Sequence, residues 1–201
     1  MTPELRSKLN HIVTLEGWCE VSKAEFLADV VWQTNAQTVV ELGVFGGRSL
    51  VSMAMACQAK GSGTVWGIDP WSNAAATEGT NHEANDAWWR NCDLEGVYRR
   101  FMEAVLRFNL TRECRWLRMK SQQAKFMFGF ESIDVLHQDS NHSEEVSCQE
   151  FTDWLALVKK GGIWVIDDTD WATNKKAYES IKAISSETLY DDGHWAAFRK
   201  A

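Results

Sequence analysis

Apolar residues recur at helical spacing over roughly the first 35 positions, and the pattern then breaks into short apolar runs separated by amphipathic stretches. Ser22 with Glu25 three residues later has the form of a capping box, and Leu27, Val30, Val31 and Thr34 follow on one helical face. The runs TVVELG (38–43), TVWGID (64–69), CRWLRM (114–119), IDVLHQD (133–139) and IWVIDD (163–168) read as strands. Between them, 48–60 reads as a helix, and Val97, Phe101, Ala104, Val105 and Phe108 share one helical face. Residues 121–128 and 173–185 complete the helical set, with a helix capped by Ser143 between them. That last helix buries Phe151, Trp154, Leu155 and Val158, carries Glu144 and Glu145 in its first turn, and ends at Lys159-Lys160-Gly161-Gly162. Residues 187–200 form a hairpin turning at Asp191-Asp192-Gly193, and 71–92 reads as irregular and polar.

Strands alternating with helices predict an α/β fold: a doubly wound, Rossmann-like, mostly parallel sheet of seven strands, closed by a C-terminal antiparallel hairpin and preceded by N-terminal helices. One domain spans 1–201, with 1–35 as a helical cap. The 71–92 stretch is long for a connection in such a unit and suits a lid or specificity loop. In these sheets ligands gather at the carboxyl ends of the strands. The polar residues of 41–49, 69–71, 139–142 and 167–171 all fall there.

Composition narrows the picture. A net charge of −7 argues against nucleic acid as partner. The locally basic stretch 99–120 reads as a solvated face, with an anionic substrate or a homodimer contact as the alternative. The five cysteines are scattered without a C-x-x-C pair, which favours reduced thiols and a cytoplasmic location over a zinc site or disulfide framework. No apolar run suits a signal peptide or a membrane span.

ELGVFGGRS (41–49) carries the first candidate chemistry. Gly43 permits a tight turn, Gly47 lets backbone approach a ligand, and Ser49 lies in the first helical turn. The third glycine of a dinucleotide fingerprint is missing, which speaks against NAD. Glu41, an acid at the end of a buried strand, needs a partner: a cationic or hydroxylated ligand, or the N–H groups of its own loop. Asp69 closes the second strand, where nucleotide-binding folds place an acid for ribose, or else serves the turn before Pro70.

Together, E-L-G-x-x-x-G-x-S (41–49), the Met-Ala of the following helix, Asp69 closing the next strand, and KSQQA (120–124) resemble the class I S-adenosylmethionine-dependent methyltransferases. More narrowly, the chain resembles the metal-dependent O-methyltransferases of the catechol and macrolide-sugar type, from about residue 37 onward. The resemblance implies that Gly43, Gly47 and Ser49 cradle the cofactor and that Glu41 lies near its amino group or ribose. It further implies that Asp69 binds the ribose diol, that Ser121 and Gln122 hold the adenine, and that Phe45 and Pro70 line the pocket. It also implies a magnesium site, with Asp139 in the place of one ligand and Asp167-Asp168 in the place of the adjacent pair. Clustered carboxylates call for a compensating cation, and an all-oxygen set suits Mg²⁺ or a similar divalent ion. The Asp139–His142 stretch read alone is equally a polar loop leading into a helix cap. His142 stands where the resembled catechol enzyme has its lysine base, and is a base, a metal ligand or a positioning donor. His137 points to the same face as Asp139 and reads as a hydrogen-bonded core histidine or one standing behind the site; His11, His82 and His194 carry no signal.

The implied activity is methyl transfer to a hydroxyl of a small molecule or sugar. Trp71, Trp88, Trp89 and Trp171 either wall the acceptor or pack locally. A nucleotide-binding oxidoreductase and a catalytically silent S-adenosylmethionine-binding module are the rival readings on the same fold.

Overall fold

The computed structural model describes residues 1–201. Five parallel strands, β1 (Thr38–Leu42), β2 (Thr64–Ile68), β3 (Cys114–Leu117), β4 (Ile133–Gln138) and β5 (Val158–Ile166), join a hairpin of β6 (Ser185–Asp191) and β7 (Ala196–Lys200). The spatial order is β3-β2-β1-β4-β5-β7-β6, with β7 inserted antiparallel between β5 and β6. The order reverses between β1 and β4, so the connections leaving those strands diverge to opposite faces and open a crevice above their carboxyl ends.

Both faces are covered, which is why the inner strands read as continuous apolar runs. Val39, Val65, Val135, Ile163 and Val165 pack under α1 (Pro3–Leu9), α2 (Val21–Gln33), α3 (Arg48–Lys60) and α6 (Leu94–Arg107). Val40, Leu42, Leu136, Trp164, Ile166 and Phe198 pack under α8 (Glu144–Trp154) and α9 (Lys175–Ala183). Both sets are completely or almost completely buried, and at about 1.5–3 kcal/mol per large apolar side chain they supply most of the driving force. No helix is long and apolar enough to cross a membrane. All five cysteines are free.

Strand alternation places the polar groups. Glu41 on β1 is the register partner of His137 on β4, which pairs in turn with Val165 on β5. All three side chains therefore point to the α2 face. Two residues further along the same face come Gly43, Asp139 and Asp167, at the rim of the crevice.

Several local expectations change. Glu20, not Ser22, is the N-cap of α2, and no side chain caps that end. The 71–92 stretch is not irregular: it holds α4 (Asn73–Ala76) and α5 (Glu83–Asn91). The helix over 121–128 is a single turn, α7 (Ser121–Ala124), followed by a 3₁₀ turn at Lys125–Met127. Val158 belongs to β5 rather than to α8. Lys159 to Gly162 are extended, forming a bulge against β4 with Gly161 at φ +75° and Lys159 paired to Asp134, so the Lys-Lys-Gly-Gly sequence serves a strand irregularity instead of a helix end.

Candidate active site

A cleft of about 1320 Å³ lies above the carboxyl ends of the strands. That exceeds what one drug-sized ligand needs and leaves room for two molecules side by side. Its floor is the turn after β1. Gly43 has φ +83°, and a Cβ there would overlap the carbonyl oxygen of Asp139, so only glycine lets the loops after β1 and β4 touch. Phe45 and Trp71 also adopt positive φ, at +49° and +45°. Asp69 holds both turns: its Oδ2 accepts the Val44 and Phe45 N–H groups at 2.9 and 3.0 Å, and its Oδ1 accepts the Trp71 N–H at 2.6 Å. Burial pushes the Asp69 carboxyl above its ordinary value against the pull of those three donors.

Of the residues expected at the cofactor, Gly43, Phe45, Ser49, Asp69, Pro70, Ser121 and Gln122 line this cleft. Glu41 and Gly47 lie behind the lining. Glu41 is fully buried, accepts the Ser49 hydroxyl on Oε1, and has no partner on Oε2. Ser121 donates to Glu150 Oε1 and Ser140 to its Oε2, both at 2.6 Å. Burial raises the Glu150 carboxyl to about 7, opposed by these serines and Gln138. Nothing in the helical pattern of α8 singled Glu150 out; an acid in the α8 stripe, facing inward beside Val146 and Trp154, was the available signal.

Asp139, His142, Asp167 and Asp168 meet at the opposite rim. The donor atoms of Asp139, His142 and Asp168 lie within 4.8 Å of one another, as do those of His137, Asp139 and Asp167. His142 Nε2 approaches Asp168 Oδ2 to 2.7 Å, out of line for a hydrogen bond, and its ring lies 4.6 Å from that of Trp171. Asp168 is at φ +52°, which swings its carboxylate off the strand toward His142. Burial and then the Asp167 charge drive the Asp139 carboxyl well above its ordinary value. Asp167 goes the other way. Burial opposes its ionisation, but Lys23 and His137 outweigh it and hold the carboxyl well below the usual range.

Lys23, on the first turn of α2, is the residue that sequence reasoning missed here. Its ammonium binds Asp167 Oδ2 and is itself held above the ordinary lysine value, burial pulling down and Asp167 and Asp139 pulling up more strongly. His137 is completely buried between Glu41 Oε1 (3.7 Å) and Asp167 Oδ2 (3.6 Å), too far for hydrogen bonds on either nitrogen. It is thus not a hydrogen-bonded core histidine but a link between two carboxylates; burial and Lys23 disfavour its charged form, yet the flanking acids raise its pKa. Three carboxylates and an imidazole converging from two strand ends are a hard, oxygen-rich set, and they fit a divalent ion.

The aromatic wall differs from expectation. Trp88, Trp89 and Trp171 line the cleft, but Trp71 is buried against Tyr98 and Phe101. Trp18, Trp195 and Tyr190 join the wall from the N-terminal segment and the hairpin. Trp18 stacks on Phe45 at 5.0 Å and meets Trp88 edge-on at 5.3 Å. His82 and His194 also face the cleft, His194 within 3.2 Å of Asp170. In the basic 99–120 stretch, Arg100 pairs with Glu16, Arg118 with Glu95 and Lys120 with Glu78.

Residues 40–169 match the family model described as a methyltransferase domain. The chain belongs to that family. The methyltransferase fold recurs in the O-methyltransferase NovP, 20% identical with TM-score 0.64, over 90% of this chain and 80% of that one. It recurs in TomG from Streptomyces achromogenes, an O-methyltransferase of tomaymycin synthesis solved with S-adenosylmethionine (13% identity, TM-score 0.65, 100% and 92% covered). An O-methyltransferase from Bacillus cereus, solved with S-adenosylhomocysteine, is 16% identical with TM-score 0.64, over 100% and 92%. A search of curated proteins returns no significant match to this methyltransferase. The family match ends before α9 and the hairpin and starts after α2, so Lys23, Tyr190 and Trp195 are contributions from outside the matched region.

Proposed function

We propose that this methyltransferase transfers a methyl group from S-adenosylmethionine to a hydroxyl of a small molecule or sugar, assisted by a divalent ion held by Asp139, Asp167 and Asp168. The observation that carries this reading is that Asp139 belongs to two clusters, with His142 and Asp168 and with His137 and Asp167, each within 4.8 Å, at one rim of a cleft whose other end is the glycine turn with Asp69, Ser121 and Gln122. The cofactor supplies an electrophilic methyl on sulfur, and the ion would supply Lewis acidity toward the acceptor oxygen.

The residues of the chain do the rest. Asp69 keeps the turns after β1 and β2 in place, so the backbone that would meet the cofactor is formed in advance. The His142 imidazole stands at the rim against the Trp171 ring, where it takes the acceptor's hydroxyl proton as the oxygen–methyl bond forms and the sulfur–methyl bond breaks. Trp18, Trp88 and Trp195 exclude water from one side and offer flat apolar surface to an aromatic or sugar acceptor.

Calorimetry with S-adenosylmethionine and with NAD, each with and without Mg²⁺, is the test. Binding of S-adenosylmethionine alone, and a further heat from Mg²⁺, is expected. Preference for NAD would overturn the cofactor assignment, and full turnover of a demonstrably metal-free enzyme in chelator would overturn the ion. His142→Gln should keep cofactor affinity and lose about a hundred- to ten-thousand-fold in turnover; near-native turnover would remove His142 from proton transfer.

A further inference from the structure

The acidic rim already contains a cation. Lys23 rises from the first turn of α2 with its side chain 7% exposed and its ammonium on Asp167 Oδ2. The ammonium also lies 5.6 Å from the centre of the Trp195 ring, so it spans from the N-terminal helix to the hairpin across the cleft floor. Lysine is almost never buried without a partner. Here the partner is one of three carboxylates crowded at adjoining strand ends, with a fourth, the buried Glu41 of β1, behind them beyond His137. Without a positive charge in contact, those carboxylates would repel one another in a low-dielectric setting. His137 lies 3.6 Å from the same oxygen of Asp167 but also 3.7 Å from Glu41, so it is shared between two carboxylates and Lys23 is the cation in direct contact with Asp167.

We propose that Lys23 is the resident counter-ion of the cluster: a positioning residue that neutralises Asp167 while no metal ion is present and weakens the hold of the site on an ion that arrives. The inference rests on the metal reading given above. Two cations that share one carboxylate repel each other, so the ion binds less tightly with Lys23 in place than without it. The same contact keeps Asp167 in place in the metal-free rim. The metal is then an exchangeable ligand of a preformed rim, and the fold does not depend on it.

The test compares the wild type with Lys23→Met, matched in length but uncharged, and with Lys23→Arg, which keeps the charge. Each is saturated with S-adenosylhomocysteine and titrated with MnCl₂ by calorimetry, and its melting temperature is recorded with and without Mn²⁺. Lys23→Met is expected to melt lower than the wild type without metal, to gain more from Mn²⁺, and to bind Mn²⁺ about tenfold more tightly. Lys23→Arg should follow the wild type. If the Met variant does not fold, Lys23→Gln gives the same comparison with a smaller loss of polarity. Equal or weaker Mn²⁺ affinity in the uncharged variant, with S-adenosylhomocysteine binding intact, overturns the role of Lys23 and leaves the metal site standing. Absence of Mn²⁺ binding in every variant that still binds S-adenosylhomocysteine overturns the metal reading, and this inference with it.

Discussion

Glu150 receives hydroxyl groups from two different loops, Ser121 after β3 and Ser140 after β4, and does so fully buried. Its carboxyl is raised from 4.5 to about 7, chiefly by that burial. A carboxyl whose folded value lies above its unfolded one contributes stability that is complete below the unfolded value and is lost as pH rises through the folded one. The loss here spans roughly pH 4.5 to 8 and amounts to up to about 3 kcal/mol. Glu150→Gln keeps an oxygen to accept one serine and has no charge to bury. Urea unfolding at pH 5 and pH 8 should show the wild type losing stability relative to the variant over that interval; parallel pH dependence in the two proteins would show that Glu150 does not titrate there. Legibility at this scale followed position relative to strand ends. Asp69, Asp139, Asp167 and Asp168 stand in sequence where apolar runs stop, and all four line the one cleft above the strand ends. Lys23 and Glu150 stand inside amphipathic helices, where a charged residue looks like any solvated one until the tertiary packing turns it inward.

Among the elements, the segment of α4 and the loop after it is clamped from one point. Asn141 Nδ2 donates to the carbonyls of Ala75, Ala76 and Glu78, each at 3.0 Å, while its Oδ1 accepts the Ser143 N–H at 2.8 Å. Gly79, at φ +77°, lies so close to Ser143 that a Cβ would collide with the hydroxyl, and Glu78 and Thr80 reach Lys120 and Glu145. We propose that 71–92 acts as a lid, latched by the loop that also carries Asp139 and His142. Asn141→Ala removes the latch at about 1 kcal/mol per hydrogen bond. Dissociation of S-adenosylhomocysteine, followed by stopped flow, should speed up by about tenfold; an unchanged rate would mean that the cofactor leaves by another route. The two helices within 71–92 escaped sequence reading because α4 is one turn long and α5 is only nine residues, polar on average, and buries none of them.

For the whole molecule, the sheet was legible because both of its faces are covered: strands buried on two sides are apolar throughout and stand out from amphipathic helices. The strand order was not, since only packing decides which parallel neighbours adjoin; that order opens the crevice between β1 and β4. The mouth of the crevice is drawn from distant parts of the chain, Trp18 before α2, Trp88 and Trp89 on α5, and Trp195 in the hairpin. Trp18, Trp88 and Trp89 lie within 4.8 to 6.2 Å of one another, at steep mutual angles. Indoles so close and so oriented share their electronic excitation, and the coupling should give a split band in circular dichroism. The mouth is therefore its own optical gauge. An acceptor that slides between those rings, or movement of Trp88 and Trp89 away from Trp18, should change the band, and Trp18→Phe should reduce it to the contribution of the Trp88–Trp89 pair with the far-ultraviolet helix signal otherwise retained. Screening hydroxylated compounds for a change in that band would report occupancy of the acceptor site without any turnover, and so would open the question of the substrate to a spectrometer.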